Sequence, residues 1–274
     1  MFDALAYDFV RNACAAAVLA SIACGIIGTL VVVNRIVFLA GGVAHAAYGG
    51  IGIAVHWGLP MLPCTVGFSL AASLGMAHIA YRHAEKADAA IGLLWAAGMA
   101  FGIILLDLTP GYRADLMSFL FGSILAVPEG DLLLMLVVDV GLLFIVGLCH
   151  QTLLVASFDP EFAEARGLPV KATFLLVVGM TALGVVLLIR IVGLVLVMAL
   201  LTIPPFIAQR RARSLPRMML AATLWSLVFC LSGLWLAYRF DLTSGAAIIA
   251  AAVVGFSLMM GRDMLLERFG KETP

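Results

Sequence analysis

The stretch Val37–Gly50, VFLAGGVAHAAYGG, is apolar enough to cross a membrane, yet it carries one ionisable side chain, His45. Four glycines and four alanines in the same stretch leave little side-chain bulk around this histidine. Ionisable groups inside a bilayer are costly and usually mark the pathway of an ion, a proton or a substrate. The stretch therefore predicts a membrane-spanning helix whose histidine has a function.

The composition of the whole chain agrees with this interpretation. Of 274 residues, 64% are hydrophobic and only 12% are charged, whereas water-soluble domains carry about a quarter charged residues. Apolar runs of about 18 residues or more recur along the chain, while the short alternating segments of a membrane β-barrel are absent. The formal net charge is zero, which gives no reason to expect nucleic-acid binding. We predict an all-α, polytopic membrane helix bundle.

Hydropathy predicts about nine spans, and we expect residues 1–274 to form one transmembrane domain. The seventh span is short, and Ala114–Val127 is an apolar but short segment bounded by charges and prolines. We interpret that segment as an interfacial or re-entrant helix, with a tenth span as the alternative. The predicted spans lie near residues 12–33, 36–57, 62–81, 89–107, 132–154, 171–189, 193–208, 218–238 and 246–261.

The positions of lysine and arginine predict the orientation. Nine spans place Arg11, Arg113, Arg190 and Arg239 on one side and the other twelve of the 16 basic residues on the opposite side. The side rich in basic residues is normally cytoplasmic. We therefore expect a multi-pass protein of the cytoplasmic (inner) membrane with its N-terminus outside and its C-terminus in the cytoplasm.

Two further features limit the chemistry of the chain. The five cysteines are scattered singly without a CxxC pair, so we expect free and inert thiols. A phosphate-binding loop of the form G-x-x-x-x-G-K-[ST] is absent, so the chain by itself does not hold ATP in the usual way.

The predicted second helix presents a distinctive face. Helical residues advance by about 100° each, which places one set on a common stripe: Gly41, His45, Tyr48, Gly52 and His56. In one interpretation the glycines let neighbouring helices approach while His45 hydrogen-bonds across the interface. In the other, the stripe is a substrate track in which imidazole binds a divalent transition metal and the glycines leave room for it. His56 is then either a first contact at the outer end or an interfacial anchor.

Two shorter motifs concern the cytoplasmic side. In SFDPEFAEARGLPV (157–170), Asp159 is a natural N-cap, Pro160 suits the first helical position, and Gly167 suits a left-handed C-terminal cap. They predict a helix of two turns or less from which Glu161 and Glu164 project.

The second motif is TIPPF, Thr202–Phe206. Pro204 and Pro205 remove two backbone donors, so they kink or end the seventh span near its cytoplasmic end. The pair is either a hinge or constriction, or a simple helix terminator.

Five stretches, in order along nearly the whole chain, together resemble the permease subunits of ATP-binding-cassette importers for zinc, manganese and iron. In that family the second helix carries an aspartate four residues before its histidine, where this chain has Gly41. The resemblance therefore supports His45 but no carboxylate at position 41. The stretches are RIVFLAGGVAHAAYGG (35–50), ADLMSFLFGSILAV (114–127), SFDPEFAEARGLPV (157–170), IVGLVLVMALLTIPPFIA (191–208) and LAYRFDLTSGAAIIAA (236–251).

The resemblance implies a non-catalytic pathway subunit with no permanently bound cofactor. A homodimer of such permeases would receive Zn, Mn or Fe from an extracytoplasmic metal-binding protein and move it inward by alternating access. ATP hydrolysis would occur on a cytoplasmic ATP-binding subunit. That subunit would dock on the loop helix at Asp159, Glu161, Glu164, Arg166 and Gly167.

Asp139 is a candidate for the missing carboxylate. It lies within the apolar run LLLMLVVDVGLLFIVGLCH (132–150), eleven residues before His150, so an unbroken helix would place both on one face. Asp139 is then a pathway residue, alongside His45, Tyr48 and His56, or else a buried hydrogen-bonding or proton-carrying residue.

Two other classes of function remain open at this level. A proton-driven secondary transporter would use Asp139 and His45 as relay groups and would need no ATPase. A membrane scaffold would have no pathway, and its His45 would be dispensable.

Overall fold

Helices account for nearly all of the residues that the structure describes. The computed structural model describes residues 8–110, 122, 124 and 127–270, and it contains no strand within them. A short 3-10 turn, Ala84–Lys86, joins α3 to α4. The helices are α1 (Asp8–Val33), α2 (Val37–Trp57), α3 (Met61–Arg82), α4 (Ala87–Asp107), α5 (Glu129–Leu148), α6 (His150–Phe158), α7 (Pro160–Ala165), α8 (Val170–Val192), α9 (Leu194–Gln209), α10 (Leu215–Phe240) and α11 (Ser244–Gly270).

The predicted membrane helix bundle is confirmed. Among the described residues, eight helices are long and apolar enough to cross a membrane. The apolar helix α9, with 16 residues, is shorter and corresponds to the short seventh span. A length of 16 residues spans only about 24 Å at 1.5 Å per residue, less than the hydrocarbon core of a typical bilayer.

The predicted fifth span, residues 132–154, is divided into two helices. Cys149 has φ −96° and ψ 10°, and it separates α5 from α6. The expectation that Asp139 and His150 share one helical face assumed an unbroken helix, and it stays a prediction. Hydropathy follows the transfer of side chains into lipid and does not register such a local backbone turn. The predicted interfacial helix Ala114–Val127 lies outside the described residues, apart from Gly122, Ile124 and Val127.

Three helices form the centre of the bundle. In their most apolar windows, α1, α2 and α8 are 72%, 78% and 72% buried, whereas the corresponding windows of α3, α4, α5 and α11 are 22–28% buried. Lipid tails are as apolar as leucine, so helix association in a bilayer depends on close packing rather than on the hydrophobic effect. Of the central helices, α1 and α2 accordingly carry many alanines and glycines among their buried residues.

Gly28 on α1 illustrates this close packing. A Cβ added to Gly28 would lie 2.7 Å from the Leu201 carbonyl oxygen and 2.7 Å from Cγ of Pro205, both on α9. A larger residue at position 28 would push these helices apart. The absence of a side chain therefore sets the distance between α1 and the proline pair.

The connection between α1 and α2 is a tight turn at Arg35. Its φ of 58° is in the left-handed region, where glycine is usual. The Ile36 amide donates to the Val31 carbonyl at 3.0 Å, and the Arg35 amide donates to the Val32 carbonyl at 3.1 Å. These two bonds close the C-terminus of α1 and start α2 without an intervening loop.

Candidate functional site

His45 lies at the edge of the helix packing on α2. All other residues from Gly41 to Gly52 are buried, whereas His45 is half-buried. Its ring stacks on Trp95 of α4, with 4.4 Å between centroids and an interplanar angle of 24°. The Nδ1 atom is buried and has no hydrogen-bond partner among the described residues. The imidazole is thus held by ring stacking while one ring nitrogen remains available.

Gly41, one helical turn before His45, faces α9. A Cβ added to Gly41 would lie 3.2 Å from Cε and 3.9 Å from Sδ of Met198. The space beside Gly41 is therefore occupied by the flexible end of a half-buried methionine. The His45 ring thus stacks on α4, whereas the α2 surface one turn earlier, at Gly41, meets a thioether from α9.

The glycines toward the other end of α2 bring helices together. A Cβ on Gly52 would lie 2.5 Å from the carbonyl oxygen of Gly102 on α4. On the α4 side of the same contact, a Cβ on Gly98 would lie 3.1 Å from Cα of Ala46 on α2. Backbone atoms of α4 thus fill the space beside Gly52. At Gly52 the expectation that glycine leaves room for an ion is wrong. The close packing of α2 against α4 explains why this position is a glycine.

The other two polar residues on the stripe lie farther along α2. Tyr48 is buried, with only 2% of its surface exposed. His56 Nδ1 lies 3.1 Å from Thr109 Oγ1, and this hydroxyl donates its proton to the Leu105 carbonyl at 2.8 Å. The hydroxyl oxygen therefore accepts from Nδ1–H of His56, which leaves Nε2 as the basic nitrogen of that ring.

The structure places Asp139 apart from the α2 stripe. It is 3% exposed and belongs to the buried face of α5 together with Met135, Leu142 and Val146. The helix α5 packs mainly against α1, and Asp139 Oδ2 has no hydrogen-bond partner among the described residues. His45, by contrast, lies against α4. The role of Asp139 in a pathway stays a prediction.

The described residues hold no preformed metal cluster. No three His, Cys, Asp or Glu side chains within them converge closely enough to bind one ion. The arrangement offers single donors spaced along α2, which suits transient contacts with a moving ion better than permanent storage.

The loop helix α7 forms as its caps predict. The Phe162 amide donates to Asp159 Oδ1 at 2.9 Å, and Pro160 occupies the first turn. At the other end Gly167 has φ 72°, and the Gly167 and Leu168 amides donate to the Glu164 and Ala163 carbonyls at 2.9 Å each. This pattern is a Schellman motif.

Contacts of its side chains tie α7 to the bundle. Tyr81 at the end of α3 donates to Glu164 Oε1 at 3.4 Å. Ala163 is fully buried and packs with Ala156 of α6 and Val170 of α8. The Arg166 guanidinium lies 5.6 Å from the centroid of the Phe162 ring, and Glu161 is exposed. A force on α7 would therefore reach α3, α6 and α8.

A cavity of about 600 Å³ adjoins the same end of the bundle. Its lining includes Arg35, Tyr81 and Gln209. The Asn34 side chain donates to Ser157 Oγ at 3.0 Å beside it, joining the end of α1 to α6. Sequence patterns did not indicate this cavity, because its walls come from segments far apart in the chain.

The proline pair lies inside α9 rather than at its end. Pro204 and Pro205 are buried, and the helix continues to Gln209. Proline lacks an amide proton, so the carbonyls of Leu200 and Leu201 lose their usual helical donors. The interpretation of the pair as a simple terminator is therefore wrong.

Comparison with known proteins identifies the family. The model of the ABC 3 transport family matches residues 6–262. The chain belongs to the ABC 3 transport family. The resemblance found in the five sequence stretches is thereby confirmed.

Relatives of this ABC 3 family chain match it over nearly its whole length. The membrane protein slr2045 of Synechocystis sp. is 45% identical over 260 residues, covering 95% of this chain and 92% of that protein. The manganese transport system membrane protein MntC of Halalkalibacterium halodurans is 32% identical over 254 residues, covering 93% and 87%. The solved structure of PsaBC from Streptococcus pneumoniae in complex with Fab has a TM-score of 0.82 and 28% identity, covering 92% and 91%.

Sequence reasoning missed two residues beside His45. Trp95 and Met198 are apolar residues in apolar helices, and nothing in their local pattern indicates a contact with position 45 or 41. Thr109, which binds His56, lies two residues beyond the end of α4, and its local pattern gave no sign of this contact either.

Proposed function

We propose that this protein is the membrane-spanning permease subunit of an ATP-binding-cassette importer that moves a divalent transition-metal ion into the cytoplasm. One observation carries the proposal: His45, about halfway along α2, has a buried ring nitrogen with no partner among the described residues. A neutral imidazole is a common ligand of divalent transition metals. Membership of the ABC 3 family supports a transport role for this group.

The pathway in this proposal follows α2. His56 Nε2 meets the ion near the outer end, because its Nδ1 is engaged by Thr109. His45 and Tyr48 contact it near the middle of the membrane. Two copies of the permease face each other across the pathway and alternate between outward and inward openings.

ATP is hydrolysed on a separate cytoplasmic subunit, so the chain itself is not an enzyme. That subunit docks on α7, where Glu161 is exposed and both ends of the helix are capped. The contacts of Ala163 and Glu164 carry the motion of α7 to α3, α6 and α8. A rigid helix transmits such motion better than a flexible loop.

The proline pair gives α9 a place to bend during the cycle. Two missing backbone hydrogen bonds lower the cost of changing the helix direction near Leu201. Because the Leu201 carbonyl and Pro205 lie against Gly28, bending there would move α9 relative to α1.

The remaining parts of the proposal concern location and partners. The protein lies in the inner membrane with its N-terminus outside and its C-terminus in the cytoplasm. An extracytoplasmic metal-binding protein delivers the ion, which is cargo rather than a resident cofactor.

The test is ATP-dependent uptake of zinc, manganese and iron into proteoliposomes holding the permease with its ATP-binding subunit. We expect His45→Ala to lower uptake at least about tenfold, which corresponds to about 1.4 kcal/mol of lost interaction. His78→Ala, an exposed histidine on α3, is the matched control and should transport normally. Normal uptake by His45→Ala, or uptake by the permease alone under a pH gradient, would contradict the proposal.

A further inference from the structure

The side chain of Met198, which lies next to Gly41 on α2, has no role in the proposed function so far. We propose that Met198 is a specificity-determining residue, whose sulfur acts with the His45 imidazole to favour Zn²⁺ over Mn²⁺ as the transported ion. This inference rests on the proposed function, because it concerns which ion the His45 pathway accepts.

The first support is the position of the sulfur. A Cβ at Gly41 would lie 3.9 Å from Met198 Sδ. Side chains four residues apart on a helix have Cβ atoms about 5–6 Å apart, so the position of the sulfur is about one turn from His45. Methionine has three rotatable side-chain bonds, which allow its sulfur to follow an ion beside the imidazole.

The second support is accessibility. Met198 and His45 are both half-buried, whereas Gly41 and Tyr48 on the same stripe are buried. Both side chains therefore keep part of their surface uncovered, and in this proposal an ion that reaches the imidazole also meets the thioether.

The third support is the chemistry of the donors. Thioether and imidazole are soft and intermediate donors that suit zinc, whereas manganese prefers carboxylate, carbonyl and water oxygens. None of the ion pairs formed by the described residues includes His45. The buried carboxyl of Asp139 lies on α5, which packs mainly against α1 rather than against the helix that carries His45. A nitrogen and sulfur pair that forms no ion pair with a carboxylate of the described residues penalises the harder ion.

The experiment compares uptake of Zn²⁺ and Mn²⁺, offered together, by proteoliposomes that contain the permease with its ATP-binding subunit. Met198→Leu removes the sulfur with little change in volume, and such exchanges usually cost under about 1.5 kcal/mol of stability. We expect the Zn²⁺ to Mn²⁺ uptake ratio to fall about tenfold. Met219→Leu on α10 is the control for losing a methionine and should keep the wild-type ratio.

A second variant adds the donor that manganese prefers. In Gly41→Asp/Met198→Ala a carboxylate replaces the thioether, and removal of the methionine side chain relieves the 3.2 Å contact that a Cβ at Gly41 would make. We expect the ratio to shift further toward Mn²⁺. X-ray absorption of Zn²⁺ bound to the wild-type permease in nanodiscs should show a sulfur neighbour that Met198→Leu lacks.

The outcomes separate this inference from the proposed function. If the wild-type complex takes up neither ion in response to ATP, the proposed function fails. If the wild-type complex takes up metal, the proposed function stands. If Met198→Leu then keeps the wild-type Zn²⁺ to Mn²⁺ uptake ratio and its bound Zn²⁺ still has a sulfur neighbour, the role of Met198 is refuted.

Discussion

The contact between α2 and α4 allows a quantitative prediction for Gly52→Ala. The added Cβ would lie 2.5 Å from the Gly102 carbonyl oxygen and 2.8 Å from Gly102 Cα. An unstrained C···O contact is about 3.3 Å, so α4 must move by about 0.8 Å. Both obstructing atoms belong to the backbone, so no side-chain rotation relieves the clash.

The expected cost of this substitution follows from the required displacement. Overpacking a helix contact of this kind costs about 1–3 kcal/mol, against which alanine regains up to about 1 kcal/mol of helix propensity. Because both obstructing atoms are backbone atoms, the upper part of that range, about 2–3 kcal/mol, applies. The net loss of about 1–2 kcal/mol should lower the apparent melting temperature by about 2–8 °C for a chain of this size. Because α4 carries Trp95, which stacks on His45, metal uptake should fall as well.

The assay is thermal unfolding of the purified protein in detergent, followed by size-exclusion chromatography. Gly92→Ala is the matched control, because Gly92 is a helical glycine on α4, the other helix of this contact, and no atom lies within 4 Å of a Cβ added there. It should leave the melting temperature unchanged or raise it slightly. Equal melting temperatures for Gly52→Ala and Gly92→Ala would refute the close backbone contact between α2 and α4.

Three further predictions concern other parts of the molecule. Asp159→Ala and Gly167→Ala each remove a cap of α7, which should cost about 1 kcal/mol of stability. Hydrogen exchange of the Phe162 amide should therefore accelerate, and an unchanged exchange rate would contradict the capped helix. Arg35→Gly removes the side chain from a residue whose backbone has left-handed φ and ψ angles. It should raise the melting temperature by about 2–4 °C per kcal/mol of backbone strain relieved. A lower melting temperature would show that the contacts of the arginine side chain outweigh this strain. Asp139→Asn should retain metal uptake within about twofold at normal membrane levels, because the carboxyl lies on α5, which packs mainly against α1 rather than α2; loss of uptake would place Asp139 in the pathway after all.

The sequence predicted the features that depend on neighbouring residues. The helix α7 is an example, because its N-cap and its left-handed C-terminal residue lie within nine residues, Asp159–Gly167, and form their bonds locally. The apolar runs likewise predicted the membrane helices, because transfer of each segment into lipid depends on its own side chains. The break at Cys149 escaped prediction, since the residues on both sides of it are apolar enough to continue one span.

The candidate site was predicted only in part. The helical period placed His45, Tyr48 and His56 on one stripe of α2, since that geometry needs only residue spacing. The two interpretations of the glycines could not be separated from the sequence, because each depends on the atoms beside the helix. The structure shows backbone of α4 at Gly52 and a methionine at Gly41.

By itself, the sequence determined that the chain forms membrane-crossing helices, that one of them carries a histidine stripe, and that a capped helix follows the fifth span. Only the tertiary structure decided that Trp95 and Met198 flank the part of α2 that bears His45 and that Asp139 does not. The physical reason is that helix periodicity and transfer energy are local properties. The partner at a helix face depends on which distant segments pack there, and Met198 is 153 positions beyond His45.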